Sequence, residues 1–171
     1  IRQYASTRKK VSWAKIADAV EKTLFELAKS KPKLKFIFKG KTGIHSKKIK
    51  DFKKNYNFSN INFIDGGIGH DLITPKSIVI GFNSTAIMES IISENDVIVP
   101  FFKRFRKSPY LEYAHIYDPR LFVNNEMDLK NKIIKKLKTK KPELKKYYQK
   151  ITNRYFDDVQ NAPRKMRKFL Q

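Results

Sequence analysis

The chain has 171 residues, of which 38 are Lys or Arg and 16 are Asp or Glu, so its formal net charge is +22. Its hydrophobic residues make up 40% of the sequence and include 13 Phe and 8 Tyr, enough material for a core, which excludes simple disorder. The absence of cysteine excludes disulfides, thiolate metal sites and cysteine nucleophiles, and the three histidines are scattered without ligand spacing.

The first part of the chain predicts two helix-to-strand units. Ser12 and Ser46 can each cap a helix, because apolar residues recur at helical spacing after Ser12 and a short basic segment follows Ser46. We expect helices over 12–29 and 46–56, and strands over 34–38 and 61–64. The glycine-rich turn 65–69 follows the second strand, and only a short helical turn is expected over 70–73.

The second part of the chain predicts a compact βαβ unit. Residues 77–82 form a continuous apolar run, which is typical of a strand buried on both faces of a parallel sheet. A helix over 84–94, a strand over 96–100, a short strand over 121–123, and helices over 126–137, after Pro142 and from about Ala162 complete the pattern. The alternation indicates an α/β fold with a doubly wound, mostly parallel sheet and C-terminal helices, in a single domain over 1–171.

In such a sheet, ligands bind at the carboxyl ends of the strands, which directs attention to the loops 39–45, 65–70 and 82–85. Asn83, Ser84 and Thr85 offer backbone N–H groups, two hydroxyls and the positive end of a helix dipole, which suit a phosphate. Glu89 lies one turn further on, where its carboxylate could accept hydrogen bonds from a ribose diol. The simpler interpretation is ordinary N-capping beside a solvated glutamate.

Residues 78–90, followed by 97–101, resemble the donor-binding signature of glycosyltransferases of the GT-B fold, in particular bacterial enzymes that build lipopolysaccharide or capsule. In that family a strand ends in a small-residue turn with Ser or Thr, a helix carries a Glu about four residues later, and a strand ending in Pro follows. Lys39 is similar to a basic residue that some of these enzymes place near the donor phosphates, and 153–169 looks like the closing helices of such domains.

The resemblance implies a Rossmann-like domain that binds the donor nucleotide and its phosphates through five residues: Lys39, Asn83, Ser84, Thr85 and Glu89. It implies that the loop 65–70, with Gly67 and His70, approaches the base or sugar. The nucleotide-sugar is then a substrate, and no cofactor or metal is expected, because there is no Asp-x-Asp sequence. The family places the acceptor site and catalytic base in an N-terminal domain, so we expect this chain, which begins with Ile, to be part of a larger two-domain enzyme with its catalytic residues unassigned.

A basic run directly after the strand 96–100 contains Lys103, Arg104, Arg106 and Lys107. These cations could bind an anionic acceptor, the donor diphosphate or lipid headgroups. Because no apolar run reaches the length of a membrane span and no signal peptide is evident, we expect a cytoplasmic protein. The overall charge further predicts peripheral contact with the anionic inner face of the membrane, where a glycan or lipid-linked acceptor would lie.

Two other functions fit parts of the sequence. A nucleic-acid-binding module is favoured by the charge and by basic and aromatic residues side by side, as at Lys35-Phe36, Phe52-Lys53 and Tyr147-Tyr148. No recognised nucleic-acid motif accompanies them, which argues against this partner. A nucleotide-sugar epimerase of the same fold would share the donor site, but it needs acid and base residues that the sequence does not identify.

Overall fold

The computed structural model of the protein describes residues 11–40, 43, 45–67, 69–74, 77–81, 85–107, 119–139, 146 and 148–149. Its helices are α1 (Trp13–Ser30), α2 (Ser46–Asn55), α3 (Thr85–Ile92) and α4 (Glu126–Lys138), and its strands are β1 (Phe36–Gly40), β2 (Ile61–Asp65), β3 (Ile78–Ile80), β4 (Asp96–Pro100) and β5 (Phe122–Val123). The expected α/β class is confirmed. The predicted helix after Pro142 is described only at 146 and 148–149, which are helical, and the helix from Ala162 lies outside the described residues.

All strand pairs between these elements are parallel, as predicted, but they form two sheets instead of one. β1 pairs with β2, and β4 lies between β3 and β5 in a second sheet. β3 is short, and its pairing in the described chain is with β4 alone. Its residues are half-buried, whereas the sequence predicted a strand buried on both faces.

The three-stranded sheet is covered by helices on both faces, which is the doubly wound arrangement. Ile98 of β4 packs into a core cluster with residues of α1 and α4, namely Ile16, Val20, Leu27, Leu129 and Ile133. The neighbouring residues Val97 and Val99 point to the other face and pack with Ile87 and Ile91 of α3 and with Tyr148. Successive side chains of this buried strand therefore point to opposite faces of the sheet and pack against two different layers of helices.

The smaller sheet is joined to the rest of the fold by α1. Phe25 of this helix stacks on Phe38 of β1, with ring centroids 4.7 Å apart, and on Tyr56, with centroids 3.8 Å apart. Ile49 of α2 and Phe63 of β2 complete this buried cluster. Because α1 also supplies the main core cluster, one amphipathic helix packs against both sheets.

The amino-terminal half of β4 is held by side chains beyond its strand neighbours. β5 pairs with Val99 and the following proline, so it does not reach Val97. The backbone N–H of Val97 instead donates to the hydroxyl of Tyr148 at 3.3 Å, and that side chain is 1% exposed. At the first residue of the strand, Asp96 forms an ion pair with the buried Lys136 of α4. Both contacts satisfy polar groups that would otherwise be desolvated without a partner.

The helix caps differ from the predicted ones. Ser12 lies at the cap position of α1, but its side chain makes no capping hydrogen bond, and its backbone N–H donates to the carbonyl of Phe105 at 2.8 Å. Ser46 is the first residue of α2, and its hydroxyl accepts from the N–H of Gly43 at 3.1 Å. The side-chain cap that the structure does show belongs to α4, where Asn125 accepts from the N–H of the third helical residue at 2.8 Å.

Candidate functional site

Three segments meet where the predicted ligand-binding loops were expected to converge. A Cβ atom placed on Gly69 would lie 3.8 Å from both Cδ and Cε of Lys39 and 3.9 Å from Cβ of Ala86. Lys39 is near the carboxyl end of β1, Gly69 lies in the loop after β2, and Ala86 is in the first turn of α3. These are ordinary van der Waals distances, so the lysine stem, the loop and the helix lie next to one another at this point. The sequence analysis placed Gly69 in a glycine-rich turn but did not single it out.

Lys39 presents its charge at this edge of the fold. Lys39 is exposed, and its Nζ atom lies 3.5 Å from the carbonyl oxygen of Gly40. Among the described residues, no carboxylate lies within ion-pair distance of the ammonium. A lysine without an internal carboxylate partner can neutralise a phosphate, as a compact point charge.

Glu89 lies within one turn of the point where α3 contacts the Gly69 loop. It is three residues after Ala86 and four after Thr85, spacings that place side chains on neighbouring parts of a helix surface. Ile87 and Ile91 fix the helix by full burial against the sheet, while Glu89 is half-buried. Among the described residues, no Lys, Arg or His forms a salt bridge with its carboxylate.

The loop after β2 has a backbone that only glycine adopts easily. Gly66 and Gly67 have φ angles of 85° and 72°, in the left-handed region that costs other residues free energy. The N–H of Gly66 donates to the carbonyl of Gly40 at 3.2 Å, which extends the β1–β2 pairing by one step. Gly67 is exposed, and no atom would lie within 4 Å of a Cβ placed on it. The predicted contact residue Gly67 therefore borders open space.

The remaining members of the predicted donor site are located only in part. Asn83 and Ser84 lie outside the described residues, so their role as phosphate ligands stays a prediction. Thr85 begins α3, and His70 begins a single 3-10 turn that ends at Leu72. The structure thus positions the backbone of these two residues beside the edge where Lys39 lies.

The basic run after β4 is partly used inside the molecule. Arg104 forms an ion pair with Glu126, and its guanidinium carbon lies 4.5 Å from the centre of the Phe105 ring. The guanidinium of Arg106 lies 4.2 Å from the centre of the Phe101 ring and donates to the side-chain oxygen of Asn124 at 3.2 Å. Burial lowers the pKa of Arg106. These contacts tie the two arginines to the start of α4 and to the core.

Lys103, Arg104 and Lys107 of the same run are exposed, and the side chain of Arg104 keeps 58% of its surface accessible beside Glu126. Lys103 and Lys107 flank the segment that pairs with the residue before α1, since Val11 forms a β-bridge with Arg106. A polyanion that approaches this end of the molecule would therefore meet the two lysines and an arginine already paired with Glu126, whereas Arg106 is half-buried.

The aromatic residues that favoured nucleic-acid binding are core residues wherever the structure describes them. Tyr148 is 1% exposed. Phe36 packs against the main core cluster, and Phe52 packs in the aromatic cluster around Phe25 with ring centroids 5.2 Å apart. Tyr147 lies outside the described residues. Tyr148 offers no face on which a base could stack, whereas Phe36 and Phe52 are half-buried and already packed on one side. The nucleic-acid module therefore stays an untested alternative with little support from these aromatic rings.

Within the described residues, no group of three or more His, Asp or Glu side chains could hold a metal ion. No helix among the described residues is both long enough and apolar enough to cross a bilayer. Comparison of the chain with models of protein families, with curated proteins and with solved structures gives no match.

Proposed function

We propose that this chain is the donor-binding domain of a glycosyltransferase with the GT-B fold, which transfers a sugar from a nucleotide-activated donor to a surface glycan. The observation that carries the proposal is the approach of Lys39, Gly69 and Ala86 at the carboxyl ends of parallel strands. It supports a site at the place where nucleotides bind in doubly wound folds. The sequence 78–90, which resembles the donor signature of this family, leads into the same helix.

In the proposed reaction, an acceptor oxygen forms a bond to the anomeric carbon while the bond from that carbon to the donor diphosphate breaks. Negative charge then grows on the leaving diphosphate. The ammonium of Lys39, the N-terminus of α3 and the hydroxyls of Ser84 and Thr85 would stabilise that charge, while Glu89 accepts hydrogen bonds from the ribose. The acceptor proton would pass to a base in a second domain, which also binds the glycan or lipid-linked acceptor.

The test is nucleotide binding by the full chain, measured by calorimetry and by thermal shift with UDP, CDP, GDP, dTDP and CMP. One nucleoside diphosphate should bind saturably and raise the melting temperature. Glu89→Gln should weaken that binding by roughly tenfold to a hundredfold, since a hydrogen bond to a charged group contributes about 1.5–3 kcal/mol. Lys39→Gln should weaken the binding of CDP more than that of CMP if the cytidine nucleotides are the ligands, because CMP lacks the second phosphate.

Two variants with the same charge changes serve as controls. Asp51→Asn removes an exposed carboxylate from α2, and Lys35→Gln removes an exposed ammonium before the amino end of β1. Neither lies at the edge near Gly69, so both should bind the nucleotide like the original chain. Weak binding of all five nucleotides, equally reduced by salt and unchanged by Glu89→Gln, would contradict the proposed site and leave non-specific charge as its explanation.

A further inference from the structure

An open groove lies at the other end of α1 from the candidate donor site. It has a volume of about 370 Å³ and is formed by the end of α1, the connection to β1 and the end of α4. Its apolar lining consists of Leu27, Pro32, Leu34, Ile134 and Leu137. The volume is at the small end of the range of about 300–1,000 Å³ for ligand sites, and the groove is open, so it suits a shallow contact better than an enclosed ligand.

Among the residues that the structure describes, the rim of this groove carries positive charge and no carboxylate. Lys31, Lys33 and Lys138 line it, and all three are exposed. Leu137, between these cations, leaves 47% of its surface exposed. A half-exposed leucine bordered by lysines is complementary to a surface that presents anionic groups above apolar chains.

One wall of the groove is braced by the side chain of Asn60. The amide nitrogen of Asn60 lies 3.0 Å from the carbonyl oxygens of both Ala28 and Leu34, and 3.3 Å from that of Lys31. These carbonyls span the end of α1 and the connection to β1. The wall that carries Lys31 and Lys33 is therefore organised before any partner binds, which reduces the entropy lost on binding.

We propose that this face docks on an anionic lipid bilayer, with the lysines at the phosphate groups and Leu137 in contact with acyl chains. Charge complementarity and the apolar floor favour this partner. Nucleic acid offers the same charges, but the described lining of the groove contains no aromatic residue on which a base could stack. The docking face differs from the run 103–107, in which both arginines are held by internal contacts. It does not depend on the donor site, so either proposal can fail alone.

The test is flotation of the full chain with vesicles of phosphatidylcholine, with and without phosphatidylglycerol, at physiological salt. The original chain should bind the phosphatidylglycerol vesicles more strongly. The triple variant Lys31→Gln, Lys33→Gln, Lys138→Gln should lose roughly a hundredfold in partitioning, since each lysine near such a surface contributes about fivefold. Leu137→Ser should lose roughly threefold to tenfold, because about half of a leucine side chain would be removed from water on docking.

The matched control replaces Lys15, Lys47 and Lys50 with Gln, which changes the net charge by the same amount at three exposed positions outside the groove and outside the run 103–107. Lys15 lies in the first turn of α1, about 22 Å along the helix from its end at the groove, well beyond the screening length of about 8–10 Å. Lys47 and Lys50 lie in the first half of α2, which the ion pairs of Lys48 with Asp18 and Glu21 place beside the first half of α1. This control should change partitioning only a few-fold. An equal loss in both triple variants would overturn the proposal.

Three other results would also overturn the proposed docking face. Equal binding of the original chain to the two vesicle types would exclude an anionic surface as the partner. If the groove variant instead lost binding to an RNA oligonucleotide and kept binding to vesicles, the face would be a nucleic-acid surface. If Leu137→Ser changed the oligomeric state in sedimentation and left partitioning unchanged, a second copy of the chain would be the occupant.

Discussion

Replacing Asn60 should destabilise the protein through three backbone carbonyls that are far from it in sequence. Its side-chain amide is placed to donate to the carbonyls of Ala28, Lys31 and Leu34. Asn60→Ala leaves these acceptors without that donor. Two contacts at 3.0 Å, each contributing about 0.5–1.5 kcal/mol net, predict a loss of about 1–3 kcal/mol in the free energy of unfolding. A loss near 2 kcal/mol corresponds to a fall of roughly 4–8 °C in Tm for a chain of this size.

The measurement is urea denaturation followed by circular dichroism, with Asn62→Ala as the matched control. Asn62 is exposed on β2 and makes no hydrogen bond with its side chain in the described chain, so its removal should change stability by less than about 0.5 kcal/mol. Asn60→Asp should be worse than Asn60→Ala at pH 7, because it loses the donor as alanine does and also places a negatively charged, acceptor-only carboxylate against carbonyl oxygens. Acidification below a pH of about 4 should recover part of that loss by protonating the new carboxyl group. If the two alanine variants were equally stable, the hydrogen bonds of Asn60 would not hold this connection.

Tyr148→Phe should cost about 1–3 kcal/mol in the free energy of unfolding, because the buried N–H of Val97 loses its acceptor while the ring still fills the core; a change below about 0.5 kcal/mol in urea denaturation would refute this. Glu21 has a pKa raised above 4.5, first by burial and also by Asp18, although Lys48 opposes the shift. The pKa of Glu21 is therefore higher in the folded protein than in the unfolded chain. Below the unfolded-state pKa the carboxyl group is protonated in both states and costs no stability. As the pH rises through the folded-state pKa, ionisation of the buried carboxyl group lowers the free energy of unfolding. Glu21→Gln should then stabilise the protein at pH 7 by less than about 1 kcal/mol and lose this advantage toward pH 4, whereas Asp18→Asn, at a side chain 69% exposed, should change little. Thermal unfolding between pH 4 and 7 measures both variants, and a destabilised Glu21→Gln at pH 7 would contradict the reasoning.

The sequence predicted most helices and strands well, because the spacing of apolar residues and the Gly and Pro residues that end an element are local properties of the chain. The helix 12–29 and the strand 96–100 agree with α1 and β4 to within one residue. The caps were wrong because hydrogen-bond partners depend on the fold. The backbone of Ser12 donates to Phe105, far along the chain, and the hydroxyl of Ser46 accepts from a residue outside its helix. The division into two sheets was also not predictable, since strand pairing is set by contacts distant in sequence.

The candidate site was predicted as an edge but not as a set of contacts. The rule that ligands bind at the carboxyl ends of parallel strands pointed to the segments of Lys39 and Gly69, and the structure brings these segments together, while ligand binding there stays a prediction. It could not show that Arg104 and Arg106 have partners inside the molecule, because those partners follow on a different element. The groove near Leu137 was missed for the same reason, since its walls come from opposite ends of the chain.

The packing of α1 against both sheets has a consequence for how the molecule opens and closes. Opening either sheet would expose part of the same helix, so we expect the amides of β1 and β4 to exchange as one cooperative unit. During synthesis, α1 leaves the ribosome before any of the strands that pack against it. Its partner Phe38 follows soon after, whereas Ile98 and Val123 appear only in the later part of the chain. The main core can therefore close only after β4 and β5 have been made, and until then α1 rests on the smaller sheet alone.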